Sequence, residues 1–73
     1  MNYFNNITNY IRNKLCHLVG LDVKFISNDR RNVRFYTNTQ NSRSINIYRI
    51  TDQNDLDNCI NLIKYDLIKP AYN

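Results

Sequence analysis

His17 is the only histidine in the chain, and its neighbour in sequence is one of two cysteines, Cys16. A thiol and an imidazole form a nucleophile and base only when they face each other. Adjacent helical positions point about 100° apart, which prevents that. His17 therefore reads as a surface histidine near a helix end. Asp52, Asp55 and Asp57 form a cluster of carboxylates. They stand where a helix begins, and acids are favoured there by capping and by the positive end of the helix dipole. An EF-hand loop would need a glycine that this segment lacks. Two cysteines and one histidine give neither zinc spacing nor a C-x-x-C pair. With one glycine in the chain, Gly20, there is no glycine-rich phosphate loop. The residue types predict no catalytic site, no cofactor and no metal.

The cations carry a stronger signal. Residues 24 to 49 hold Lys24, Arg30, Arg31, Arg34, Arg43 and Arg49 against a single acid, Asp29. Residues 51 to 73 hold Lys64 and Lys69 against Asp52, Asp55, Asp57 and Asp66. Phe25, Phe35, Tyr36 and Tyr48 are interleaved with the cations of the basic stretch. Arginine and tyrosine are enriched at binding hot spots, and they also stack on bases and pair with phosphates. The expected partner-binding residues are Lys24, Arg30, Arg31, Arg34, Tyr36 and Tyr48. They suit an acidic protein, a nucleoprotein or a nucleic acid.

The elements that position these side chains follow from periodicity. Residues 2 to 19 read as a helix with Phe4, Ile7, Ile11, Leu15 and Leu18 on one apolar stripe. Arg12, Asn13 and Cys16 are expected on its far side. Asn2 suits the N-cap, and Gly20 suits the left-handed residue that ends a helix. Residues 21 to 28 alternate, with Leu21, Val23 and Phe25 to one side and Asp22, Lys24 and Ile26 to the other. Residues 33 to 38 place Val33 and Phe35 inward and Arg34 and Tyr36 outward. Residues 43 to 50 form a third strand, with Ile45 and Ile47 inward and Asn46, Tyr48 and Ile50 outward. Two short polar loops, 27 to 32 and 38 to 42, favour an antiparallel meander. A last helix opens at Thr51-Asp52, buries Leu56, Cys59, Ile60, Ile63 and Leu67, and stops at Pro70. Residues 71 to 73 are expected to fray.

The expected fold is α+β: a two-layer sandwich in the order α-β-β-β-α, with a three-stranded antiparallel meander and both helices on one face. Residues 1–73 make a single domain, with Ile11, Leu15, Val23, Phe35, Ile47, Ile60 and Ile63 buried together. The opposite sheet face is left to solvent and carries Lys24, Ile26, Arg34, Tyr36, Asn46, Tyr48 and Ile50.

The α-β-β-β-α order resembles that of double-stranded-RNA-binding domains. Those domains open their last helix with basic residues that meet phosphates. Here the segment is Thr51-Asp52-Gln53-Asn54-Asp55-Leu56-Asp57, whose charge repels them. The same order is similar to that of small phage proteins that block host defence nucleases, anti-CRISPR proteins among them. Asn occurs 14 times, Ile 9 times and Tyr 6 times. These residues have AT-rich codons and suggest an AT-rich genome such as that of a phage, a virus or a low-GC bacterium. No stretch of about 18 apolar residues is present, so no membrane span is expected. The N-terminus shows no basic region followed by an apolar one, so a cytoplasmic location with free Cys16 and Cys59 is expected. The leading expectation is a non-enzymatic binding protein, phage- or mobile-element-encoded, that docks on a host protein or nucleoprotein and modulates or inhibits it. The alternative is a small nucleic-acid-binding protein using the basic, aromatic sheet face. A homodimer closing over the open sheet face is compatible with either.

Overall fold

The computed structural model describes residues 2–69. Helix α1 spans Tyr3–Val19. Its first turn is held by Asn5 N–H, which donates to the Asn2 side chain at 3.1 Å. Its last turn closes at Gly20, whose φ of 71° is left-handed and whose N–H donates to the Cys16 carbonyl at 3.0 Å. Glycine has no Cβ to clash there. The buried stripe is Phe4, Thr8, Ile11 and Leu15. Leu18, expected on it, is 48% exposed.

The far side of α1 also departs from expectation. Gly20 turns the chain back so that residues 21 to 23 run along the helix flank. Cys16 Sγ accepts the Val23 N–H at 3.3 Å, and Arg12 Nε donates to the Val23 carbonyl at 3.1 Å. Cys16 and Arg12 are thus half-buried. A helical wheel cannot foresee this, because the covering group comes from the following segment.

The three strands are β1 (Lys24–Ile26), β2 (Asn32–Tyr36) and β3 (Ser42–Asn46). They form one sheet in the order β1-β2-β3 with both pairs antiparallel. Phe35 pairs with Phe25 on one side and with Arg43 on the other. These residues share the helix-facing side of the sheet. The third strand ends earlier than its alternation predicts. Asn46 accepts the Tyr48 N–H through Oδ1 at 2.9 Å and caps a single 3-10 turn, Ile47–Arg49. That turn replaces period two with period three, so Ile47 and Ile50 both enter the core. Ile50 was expected on the open face; instead it is buried.

Helix α2 spans Gln53–Ile68. Asp52 accepts the Asp55 N–H at 2.8 Å, and Asp55 accepts the Thr51 N–H at 3.0 Å and hydroxyl at 2.6 Å. The cap satisfies the Asp55 N–H, an orphan donor of the helix start, and Asp55 in turn ties down the residue before the cap. At the far end, Asn41 of the β2–β3 connection donates through Nδ2 to the Leu67 carbonyl at 2.9 Å and the Lys69 carbonyl at 2.8 Å. The stop at Pro70 and the end at 71 to 73 lie outside the described residues.

Both helices pack on the same side of the sheet. Ile11, Leu15, Val23, Phe35, Ile47, Ile60 and Ile63 are buried as expected, joined by Phe4, Val33, Ile50 and Leu67. Among the described residues nothing covers the opposite face of the sheet.

Candidate functional site

Strand alternation puts every second side chain of the sheet on its uncovered face. The register fixes their rows. Lys24, Tyr36 and Ser42 stand side by side; Ile26, Arg34 and Ser44 form the next row; Asn32 and Asn46 form the third. Arg34 sits at the centre. Among the described residues no hydrogen bond or ion pair engages its guanidinium. Ile26 beside it is 56% exposed. Ile26 and Arg34 together separate two shallow hollows. One, of about 330 Å³, is lined by Asp29, Asn32 and Ser44; the other, of about 360 Å³, by Tyr36, Thr39 and Ser42. Lys24 reaches Asp22 at 3.9 Å with both side chains well exposed. Such a pair contributes little and leaves the ammonium available.

The loop between β1 and β2 sends its arginines elsewhere. Asp29 Oδ1 accepts the Arg31 and Asn32 N–H groups, each at 2.9 Å, and Oδ2 accepts Asn32 Nδ2 at 3.0 Å. These donors, the backbone N–H of Asn32 first, lower the Asp29 carboxyl from 3.8 to about 2. Ser27 Oγ accepts the Arg30 N–H at 3.0 Å, and Arg30 takes a left-handed φ of 59°. The loop thereby folds back over the start of α1. The Arg30 guanidinium lies 4.7 Å from the centre of the Phe4 ring, and that of Arg31 lies 5.9 Å from the Tyr48 ring. Tyr48, carried by the 3-10 turn, packs against Tyr3 of α1 with ring centres 5.6 Å apart.

The six residues expected at one surface thus divide. Lys24, Arg34 and Tyr36 come together on the open sheet face. Arg30, Arg31 and Tyr48 gather at the neighbouring end of the molecule with Tyr3 and Phe4. The placement of Tyr48 on the sheet face is corrected by the turn at Ile47–Arg49, which takes it out of the strand register. Arg43 belongs to neither group. It points to the helix side and bonds Asp66 of α2 at 2.9 Å. Asn32, Ser42 and Ser44 complete the open face. Alternation away from Arg34 reaches Asn32, but a strand start placed at residue 43 left Ser42 in a loop.

The other chemistry-bearing residues serve the fold. Among the described residues no group of three or more His, Cys, Asp or Glu converges as a metal site requires. Both cysteines are free and half-buried. Burial, and then the Asp55 charge, push the Cys59 thiol up, with Arg43 opposing. No helix among the described residues is long and apolar enough to cross a membrane. Comparison of the chain with protein-family models, with curated proteins and with solved structures finds no match.

Proposed function

We propose that the chain is a non-enzymatic binding protein whose open sheet face docks on an acidic surface of a partner protein. The observation that carries this reading is the surrounding of Arg34. Its donors are uncommitted, it stands between an exposed isoleucine and Tyr36, and it rims two hollows. A cation flanked by apolar and aromatic surface suits a protein contact, where the charge steers and the apolar groups hold.

The distribution of the cations favours protein over nucleic acid. Arg43 is bonded to Asp66, and Arg30 and Arg31 lie over rings at another surface. Lys24 and Arg34 alone remain on the sheet face. Two phosphate contacts give a weak, shallow salt dependence of about 0.9 log unit of affinity per log unit of salt for each phosphate. A host protein or nucleoprotein, modulated or inhibited by this contact, is the partner class we favour. The AT-rich composition supports a phage or mobile-element source acting in the host cytoplasm.

The test is a nuclease-treated pull-down from a candidate host with the wild type and the double variant Arg34→Glu/Tyr36→Ala. A defined protein should survive nuclease and be lost from the variant, whose circular dichroism stays native. Recovery of nucleic acid alone, or full retention of the protein by the variant, overturns the reading.

A further inference from the structure

The two edges of the sheet are unequal. The phase of the β2–β3 ladder is fixed at both ends, where Thr37 N–H donates to the Asn41 carbonyl at 3.1 Å and Ile47 N–H to the Arg31 carbonyl at 2.8 Å. Backbone groups alternate in direction along a strand. Arg43 and Ile45 therefore direct their N–H and C=O groups at β2, while those of Ser42 and Ser44, and the Asn46 N–H, point outward. Among the described residues no hydrogen bond reaches these outward groups. The β1 edge is blunted by its three-residue length, by Lys24 and by the clasp of Arg12 and Cys16 on Val23. The β3 edge has no lysine, no proline and no bulge, and its one charge, the inward-pointing Arg43, is held by Asp66. Its open-face side chains are the small Ser42 and Ser44. An edge whose only guard is a charge already paired within the molecule is a template for strand addition.

We infer that a second copy of this chain occupies the β3 edge, antiparallel and two-fold related about Ser44. Register favours this arrangement. Outward groups must meet outward groups, so even-numbered residues face even-numbered ones. With the axis at Ser44, the two Ser44 residues meet and Ser42 meets Asn46, pairs that hydrogen-bond across the open face. On the helix side each Arg43 then faces Ile45. A shift that pairs Ser42 with Ser44 sets Arg43 opposite Arg43, and like charges directly opposite repel.

A separate observation on α2 points to the same edge. Asp66 reaches Arg43 of β3 at 2.9 Å, so that flank of the helix lies beneath the edge strand. Leu62, one turn earlier, is on the same flank, and Tyr65 borders it. Leu62 is 46% exposed and Tyr65 66% exposed. In the two-fold pair this flank meets its own copy, so both apolar side chains lose water. The product is one continuous sheet of twice the width, with Lys24, Arg34 and Tyr36 repeated along one face. The inference does not depend on the partner-docking reading, because Leu62 and the β3 backbone lie off the binding face.

Sedimentation equilibrium on the full chain, carried into the high micromolar range, should give twice the mass of the 8.8 kDa chain. Leu62→Lys adds like charges across the axis and should weaken self-association about tenfold or more. Ser44→Pro removes an outward N–H that makes no bond within the sheet, and should give a monomer. Should that variant fail to fold, Leu62→Lys, on an exposed helix position, still decides. Register is read separately. Ser44→Cys should cross-link to its own copy beyond the wild-type background, since paired Cα atoms about 5.5 Å apart accept a disulfide, and Ser42→Cys should not. A single-chain mass at every wild-type concentration overturns the inference. So does a dimer undisturbed by Leu62→Lys, or cross-linking by Ser42→Cys in place of Ser44→Cys.

Discussion

Replacing Asn41 by alanine should destabilise the protein far more than a polar loop residue ordinarily does. Asn41 is 7% exposed and joins the β2–β3 connection to the end of α2. Its amide donates to two helix-terminal carbonyls, of Leu67 and Lys69. A typical hydrogen bond contributes about 1 kcal/mol net, and a buried acceptor left unpaired costs about 1–3 kcal/mol. The Leu67 carbonyl is buried and takes that larger cost; the Lys69 carbonyl is partly exposed and regains water. The sum is about 2–3 kcal/mol. A domain of this length has about 4–11 kcal/mol in total, so the variant loses a large fraction of it. The melting temperature should fall by roughly 10–20 °C. Urea unfolding followed by far-ultraviolet circular dichroism should show a lower midpoint at unchanged slope. Gln40→Ala, an exposed neighbour, should stay within about 0.5 kcal/mol of wild type. An Asn41→Ala midpoint equal to that of Gln40→Ala would refute the cap and the magnitude drawn from it.

Thr8 is fully buried in α1, and among the described residues its Oγ1 has no hydrogen-bond partner. Thr8→Val keeps the shape and removes the unpaired hydroxyl, so stability should rise by about 1 kcal/mol or more; a loss in urea melts would show that the hydroxyl is bonded. Asp29 has a folded pKa of about 2 against an ordinary 3.8. A lowered carboxyl contributes stability that is present above its unfolded pKa and lost as pH falls toward the folded one, so between about pH 4 and pH 2 the wild type should lose more melting temperature than Asp29→Asn; parallel curves would contradict this. Alkylation without reductant should modify both Cys16 and Cys59. Because burial raises the Cys59 thiol, its rate near pH 8 should fall below that of an unhindered thiol, and a mass-spectrometric time course checks it.

Much of the architecture was legible because local periodicity reports burial. Phe4, Ile11 and Leu15 mark α1, the Val33–Phe35 alternation marks β2, and Ile60, Ile63 and Leu67 mark α2. Asp52 and Asp55 read correctly as groups of the helix start, whereas Asp57 accepts a bond from the Gln53 side chain. What stayed hidden depends on partners distant in sequence. Asn41 looked like loop polarity, yet its bonds span 26 and 28 positions. Arg43 counted toward the charge of the basic stretch, and its partner Asp66 lies 23 positions on. Tyr48 and Ile50 were misplaced for a local reason that composition does not announce. Asn46 fits a strand and a cap equally well, and the cap prevails because it buries Ile50.

The same cation does different work according to which of its faces is already occupied. Arg43 has a carboxylate on its donors and half of its side chain covered, so its charge belongs to the joint between sheet and helix. Arg30 and Arg31 have rings beneath their planes; cation–π contacts of about 0.5–1 kcal/mol hold the loop against α1. Asp29 reinforces that hold by fixing the backbone beneath them. Among the described residues Arg34 meets neither a carboxylate nor a ring, and its strand is packed, with Phe35 on the reverse side fully buried. On binding, Arg34 loses side-chain freedom but little backbone freedom, because its backbone is already set in the strand. Local charge density along the sequence ranks these arginines equally. Their partners in three dimensions separate them, and the proposed contact rests on Arg34 rather than on Arg43.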